Sequence, residues 1–248
     1  MSSADVRVGC CGFPLSLARY VKLFRVVEVQ QTFYQPPAAR TLEKWRAQVP
    51  PEFEFTLKAW QLITHESTSP TYRRLREPLS EQEKREAGAF RPTAPVLRAW
   101  GRSLEAARIL RSRAILLQCP ARFGPTRENK ENLRSFIPNI RSDTRVGPQQ
   151  EHIALVWEPR GEWKLEEVAE LCAELGLVHG VDPLQQMPAT AGLGYFRLHG
   201  RTGYRYRYSD AELEELRVRT GAFSPCYVFF NNLSMREDAQ RFQGLMGS

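Results

Sequence analysis

Residues 96–118, VLRAWGRSLEAARILRSRAILLQ, contain one repeating unit of the fold. Within Val96–Arg111, Leu97, Trp100, Leu104, Ala107 and Leu110 recur at steps of three or four, the spacing of one helix face. Ala114–Gln118 follows as a near-continuous apolar run, which suits a parallel strand buried on both faces. The same kind of run recurs on either side, at Val6–Cys10, Val26–Val29, Phe53–Leu57, Ile153–Trp157, Leu177–Val181, Tyr195–Leu198 and Tyr227–Phe230, making eight in all.

Helical segments fill the intervals. Thr41–Gln48 carries a capping Thr and stops before Pro50-Pro51, and Glu128–Ile137 and Leu165–Leu175 follow, the latter ending at Gly176. Ser209 caps Asp210–Arg219, and Ser234 caps Met235–Met246. Strand and helix alternating to eight strands predict a TIM-type (β/α)8 barrel, an α/β fold, as a single domain over 1–248. Such a barrel takes about 250 residues, and the chain has 248. A doubly wound open sheet is the alternative. No G-x-G-x-x-G follows the first strand, which counts against it.

The regular spacing breaks once. Tyr72–Arg91, YRRLREPLSEQEKREAGAFR, carries charges of both signs and predicts a solvated helical insertion or flap after the third strand, over roughly 62–95. The composition, 42% hydrophobic and 25% charged, is that of a globular protein. No stretch approaches the ~18 apolar residues of a membrane helix, and MSSADVRVGCC shows no signal-peptide pattern; a cytoplasmic protein is expected. The five cysteines lack metal-ligand spacing and read as small buried hydrophobes. A net charge of +7 favours anionic partners.

Functional groups of such a barrel sit at the C-terminal ends of its strands. Glu28, Lys58, Gln118, Glu158, Arg160, Asp182, Arg197, His199 and Asn231 fall there. Glu28 and Glu158 read equally as ligand-handling groups or as ion-pair partners of Lys58 and Arg160. His199 reads as a core histidine or a site histidine, and its cationic neighbours favour the site. The stretch Arg197–Tyr208, RLHGRTGYRYRY, holds four arginines, three tyrosines and no acid. If extended, it turns Arg205 and Arg207 to one side and Tyr204, Tyr206 and Tyr208 to the other. Arg offers bidentate donors to phosphate and Tyr a stacking face. A hydrated loop covering the rim is the plainer alternative.

Seven motifs stand in order along the chain: VGCCGF, VVEVQQTFYQPP, FEFTLKAWQLITH, LLQCPARF, WEPRGEW, YFRLHGRTGYRYRY and YVFFNN. Together they resemble the YecE-like proteins, the DUF72 family of unknown function. The resemblance implies a barrel of the xylose isomerase and endonuclease IV kind. It also implies a site drawn from Glu28, Thr32, Tyr34, Lys58, His65, Gln118, Glu158, Arg160, Arg197, His199, Gly200, Arg201 and Asn231. The chain departs from the family pattern at Gln30 and Gln31, which replace an amide and a hydroxyl residue. It departs again at Cys11-Gly12-Phe13, which replaces a serine–tryptophan pair.

Three functions compete. The first is an enzyme acting on a phosphate-bearing ligand, a nuclease or other hydrolase of DNA or RNA. Glu28, Lys58, Glu158 and His199 would be catalytic; Glu28, Glu158 and Asp182 are the candidate ligands for a divalent metal ion, and hydrogen-bonded ion pairs explain them equally well. Arginines and the Tyr204–Arg207 stretch would hold phosphate. The second is a non-catalytic nucleic-acid or nucleotide binder. The third is a sugar-phosphate isomerase working through a Glu–Lys pair.

Overall fold

The structure, a computed structural model, describes residues 5–141, 144–146 and 151–247. Eight parallel strands form a ring: β1 (Val6–Cys11), β2 (Val26–Val29), β3 (Glu54–Lys58), β4 (Ala114–Gln118), β7 (Ala154–Glu158), β8 (Val178–His179), β9 (Gly194–Leu198) and β10 (Cys226–Phe230). Their order is β8-β7-β4-β3-β2-β1-β10-β9. The ring closes between β8 and β9 through a single parallel bridge, Val181 to Phe196. There Val181 N–H donates to Tyr195 O at 3.2 Å and Arg197 N–H donates to Val181 O at 2.8 Å. A short antiparallel hairpin, β5 (Arg145–Val146) with β6 (Glu151–His152), lies outside the ring.

Among the described residues six helices of nine or more residues, α3 (Ala39–Ala47), α6 (Ala94–Leu110), α7 (Arg127–Arg141), α8 (Leu165–Leu175), α9 (Asp210–Thr220) and α10 (Met235–Met246), cover the sheet. Short turns α1 (Leu17–Tyr20), α2 (Gln31–Tyr34) and α4 (Gln61–Thr64) follow the first three strands. Helix α8 ends at Gly176 with φ 59°, a left-handed cap. Ser209 caps α9 through a reciprocal bond set with Glu212. Two expected caps are corrected. Helix α3 starts at Ala39 after Ala38, two residues before Thr41. Ser234 precedes α10 but its side chain makes no capping bond. Helix α6 buries Trp100, Leu104, Ala107 and Leu110 of the predicted face, together with Val96, Ala99 and Ser103, while Leu97 is 43% exposed.

The insertion after β3 folds as a 3-10 turn (Pro70–Arg74) and α5 (Glu81–Glu86). Ion pairs Arg98–Glu83 and Arg102–Glu77 tie it to α6. No helix among the described residues is long and apolar enough to cross a membrane.

Two cores result. A large one fills the space between sheet and helices, from Phe24 and Phe55 to Trp157 and Phe230. A small one, with Val26, Leu116, Val156, Tyr195, Tyr227 and Phe229, fills the lumen. Each fully buried Leu, Phe or Val stabilises the fold by roughly 1.5–3 kcal/mol. All five cysteines are buried free thiols.

Candidate active site

Alternation along the strands decides which side chains enter the lumen. Val27 and Val29 join the helix-facing core, so Glu28 between them turns inward. By the same alternation Leu57 sends Lys58 inward, Leu117 sends Gln118, Trp157 sends Glu158 and Phe196 sends Arg197. The C-terminal end of the lumen is therefore polar, above an apolar plug.

Arg197 organises it. Its side chain is 1% exposed. Nε donates to both Glu28 oxygens at 3.1 and 3.0 Å, and Nη2 donates to Glu28 Oε1 at 2.9 Å. Nη1 donates to Glu158 Oε2 at 2.6 Å. Tyr195 OH donates to Glu28 Oε2 at 2.7 Å and receives a bond from Thr56 Oγ1 at 2.9 Å. Gln30 Nε2 also donates to Glu28. Burial alone would lower the arginine's pKa, but Glu158 and Glu28 outweigh it and raise it further. Burial likewise pushes Glu158 up, and the Arg197 and Arg160 charges overcome that and hold it well below the usual carboxylate range.

Lys58 extends the network. Its Nζ donates to Gln118 Oε1 and stands 3.6 Å from the Phe33 ring centroid. Gln118 Nε2 donates to Glu158 Oε1 at 2.9 Å. Burial, aided by the Arg197 charge, lowers the Lys58 pKa to about 7.

Above these groups lies the rim. Arg160 Nε donates to Glu158 Oε1 at 2.7 Å, and its Nη2 donates to His199 Nε2 at 2.5 Å. Arg197 Nη1 lies 3.2 Å from the same ring nitrogen. A guanidinium has no lone pair to offer, so His199 Nε2 accepts from Arg160. Asn231 Nδ2 stands 3.0 Å from Nδ1, and Glu158 Oε1 lies 3.5 Å from Nε2. Burial is the largest cause of the lowered His199 pKa; Glu158 opposes it and Arg197 adds to it.

A cleft of about 470 Å³ opens beside this cluster. Glu158, Arg160, Gly161, His179, Asp182 and His199 are among its lining residues. Asp182 receives bonds from the backbone N–H of Leu184 at 3.1 Å and of His199 at 3.3 Å. Burial nevertheless raises its pKa.

The family model for DUF72, a protein of unknown function, matches residues 12–247. The chain belongs to the DUF72 family. A DUF72 family protein from Enterococcus faecalis is similar in structure, with TM-score 0.70 at 21% identity over 99% of this chain and 98% of that one. Another, from Thermotoga maritima, gives TM-score 0.62 at 23% identity over 98% and 99%. A xylose isomerase domain containing protein from Salmonella typhimurium gives TM-score 0.61 at 12% identity over 100% and 99%. At these identities the likeness shows the barrel fold alone. No curated protein matches the sequence.

In this DUF72 protein the expected metal ligands do not form a set. The Arg197 guanidinium stands between Glu28 and Glu158 and is itself the cation they hold. Asp182 caps a turn through backbone N–H groups. Among the described residues no group of three or more His, Cys, Asp or Glu side chains is placed to hold a metal ion. The expected Glu28–Lys58 pair is also replaced: Glu28 binds Arg197 and Tyr195, and Lys58 binds Gln118. The Glu158–Arg160 pair does form.

Other residues of the DUF72 pattern lie apart from the cleft. Thr32 is fully buried and donates to Lys58 O at 2.6 Å, fixing the β3 end. Tyr34 lies under the Arg74 guanidinium. His65 packs on Phe33 and bonds Thr64, and burial, with Lys58 nearby, lowers its pKa to about 3. Gly200 has φ 81°, and a Cβ there would meet Gly203 O at 2.5 Å; its role is to turn the chain. Arg201 pairs with Glu212 at 2.8 Å and Glu215 at 3.6 Å. Arg205 and Arg207 are exposed, and so is Tyr204, while Tyr208 is buried with its hydroxyl receiving the Gly200 N–H, so the three tyrosines do not share one environment.

His179 was not among the predicted site residues. Taking Leu177–Val181 as a full strand placed it mid-strand. The strand has only two residues, Val178–His179, so His179 stands at its C-terminal end, where barrel sites lie.

Proposed function

We propose that this protein is an enzyme acting on a small phosphate-bearing ligand in the cleft between β7, β8 and β9, with His199 moving a proton beside the ionised Glu158 carboxylate. The observation that carries this reading is the convergence of Glu158, Arg160 and His199 on one cleft at the C-terminal end of the barrel. Arg160 is 39% exposed at its side chain and is the group a phosphate meets. A phosphate at Arg160 competes for the donor now engaged with His199 Nε2. His199 Nε2 then keeps only the 3.2 Å contact from Arg197 Nη1, beside a carboxylate kept ionised by Arg197 and Arg160. Gln118 and Lys58 stand behind Glu158 and orient it.

The volume suits a phosphorylated sugar or nucleotide better than a duplex, and a nuclease mechanism through a metal on Glu28, Glu158 and Asp182 has no ligand set to rest on. The test is turnover of a panel of sugar phosphates and nucleotides, followed by solvent-deuterium incorporation. Wild type should turn over at least one, and Glu158→Gln should abolish turnover while keeping affinity within a few-fold. Turnover unchanged in Glu158→Gln would defeat the assignment.

A second reading, nucleic-acid binding, is favoured by the surface loop. Tyr204 and Leu233 are exposed side by side, joined by Leu233 N–H donating to Tyr204 O at 2.7 Å, and Arg205 and Arg207 flank them. That combination offers a stacking face with phosphate donors.

A further inference from the structure

The cleft has a polar wall on β8 that the catalytic reading leaves without work. His179 is 3% exposed yet lines the cleft. Its Nδ1 accepts the backbone N–H of Ala189 at 3.0 Å, which fixes the tautomer: a neutral ring anchored this way carries its proton on Nε2. No described residue is hydrogen-bonded to that Nε2. The backbone around the ring is also fixed, since His179 N–H donates to Thr190 Oγ1 at 3.1 Å. Gly180 follows, and a Cβ there would meet Val156 Cγ1 at 2.8 Å, so β8 sits close against β7.

An imidazole that lines the cleft with one nitrogen tied to the backbone and the other bonded to no described residue offers that second N–H to a ligand. We infer that His179 Nε2–H binds a neutral oxygen of the ligand, a hydroxyl or carbonyl, while Arg160 binds its phosphate. This rests on the phosphate reading of the cleft and narrows it to phosphorylated hydroxy or carbonyl compounds of sugar size. Burial lowers the His179 pKa to about 4, against an opposing effect of Glu158, so the donor stays neutral at physiological pH. Neutrality matters chemically. An imidazolium would recruit a second anion, whereas a neutral N–H selects an uncharged acceptor.

Two substitutions separate the two ring nitrogens. His179→Asn keeps an acceptor near the Nδ1 position for the Ala189 N–H but has no donor reaching Nε2. His179→Gln extends an amide donor to about the Nε2 position. The probes are ribose 5-phosphate and inorganic phosphate, titrated by calorimetry at pH 7.5 against wild type and both variants. Wild type should bind ribose 5-phosphate at least tenfold tighter than inorganic phosphate. His179→Asn should lose most of that preference with its phosphate affinity unchanged, and His179→Gln should keep part of it. In wild type, the ring-nitrogen NMR signals of His179 should report an Nε2–H tautomer whose proton shifts on adding ribose 5-phosphate and not on adding phosphate. Equal ribose 5-phosphate affinity in wild type and His179→Asn, with phosphate still bound, would overturn the role of His179 and leave the phosphate reading standing. No phosphate binding by wild type would overturn both.

Discussion

Arg197 reaches across the barrel lumen from β9 to Glu28 on β2, and holds it through Nε and Nη2 while Nη1 holds Glu158. Three charges thus share a space that excludes water, and each depends on the others. Removing the cation leaves two buried carboxylates facing each other. Arg197→Met is expected to destabilise the fold by about 3–5 kcal/mol, a fall in Tm on the order of 10 °C for a chain this long. Thermal and denaturant unfolding measure it. A loss under ~1 kcal/mol would mean that the triad is hydrated and contributes little.

Lys58 makes stability depend on alkaline pH. Its pKa falls from 10.5 in the unfolded chain to about 7 in the folded one. Between those values the unfolded state binds the proton and the folded state does not, so stability rises with pH through that window and levels off outside it. The contribution amounts to at most about 5 kcal/mol across the window. Lys58→Met removes the slope, and its stability relative to wild type should be higher at pH 6 than at pH 9. Parallel pH profiles for the two proteins would show that Lys58 keeps an ordinary pKa.

The loop bearing Tyr204, Arg205 and Arg207 is separable from the cleft. Arg205→Ala/Arg207→Ala should weaken binding of a single-stranded oligonucleotide and flatten its dependence on salt by about two phosphate contacts. Stability should change by less than ~0.5 kcal/mol, because both side chains are exposed. Fluorescence anisotropy across a salt series reads both quantities. If the double variant binds as wild type does, the loop is only a hydrated cover.

The barrel was legible because its strands are short apolar runs separated by capped helices; β2 and β4 match the predicted runs residue for residue. The site was legible in part, since Lys58, Gln118 and Glu158 each end a strand. Their partners were not. Which carboxylate meets which cation depends on register across the ring: Glu28 meets Arg197 rather than Lys58, and Glu158 meets Arg160 as expected but also Arg197. Local spacing does not reveal a contact between residues 28 and 197. His179 was misplaced for a different reason: an apolar run of five contained a strand of two. Arg201 and Gly200 stood among the site residues that the resemblance implied. One is tied up by α9 acids and the other turns the backbone.

The central claim is that the Glu158–Arg160–His199 cleft receives phosphate, and calorimetric titration of inorganic phosphate into wild type and Arg160→Met tests it most directly. Losing a charged donor to a bound anion costs about 1.5–3 kcal/mol, so Arg160→Met should bind phosphate at least tenfold more weakly, with an unfolding midpoint close to that of wild type. Equal phosphate affinity in the two proteins, or none in wild type, would contradict the account.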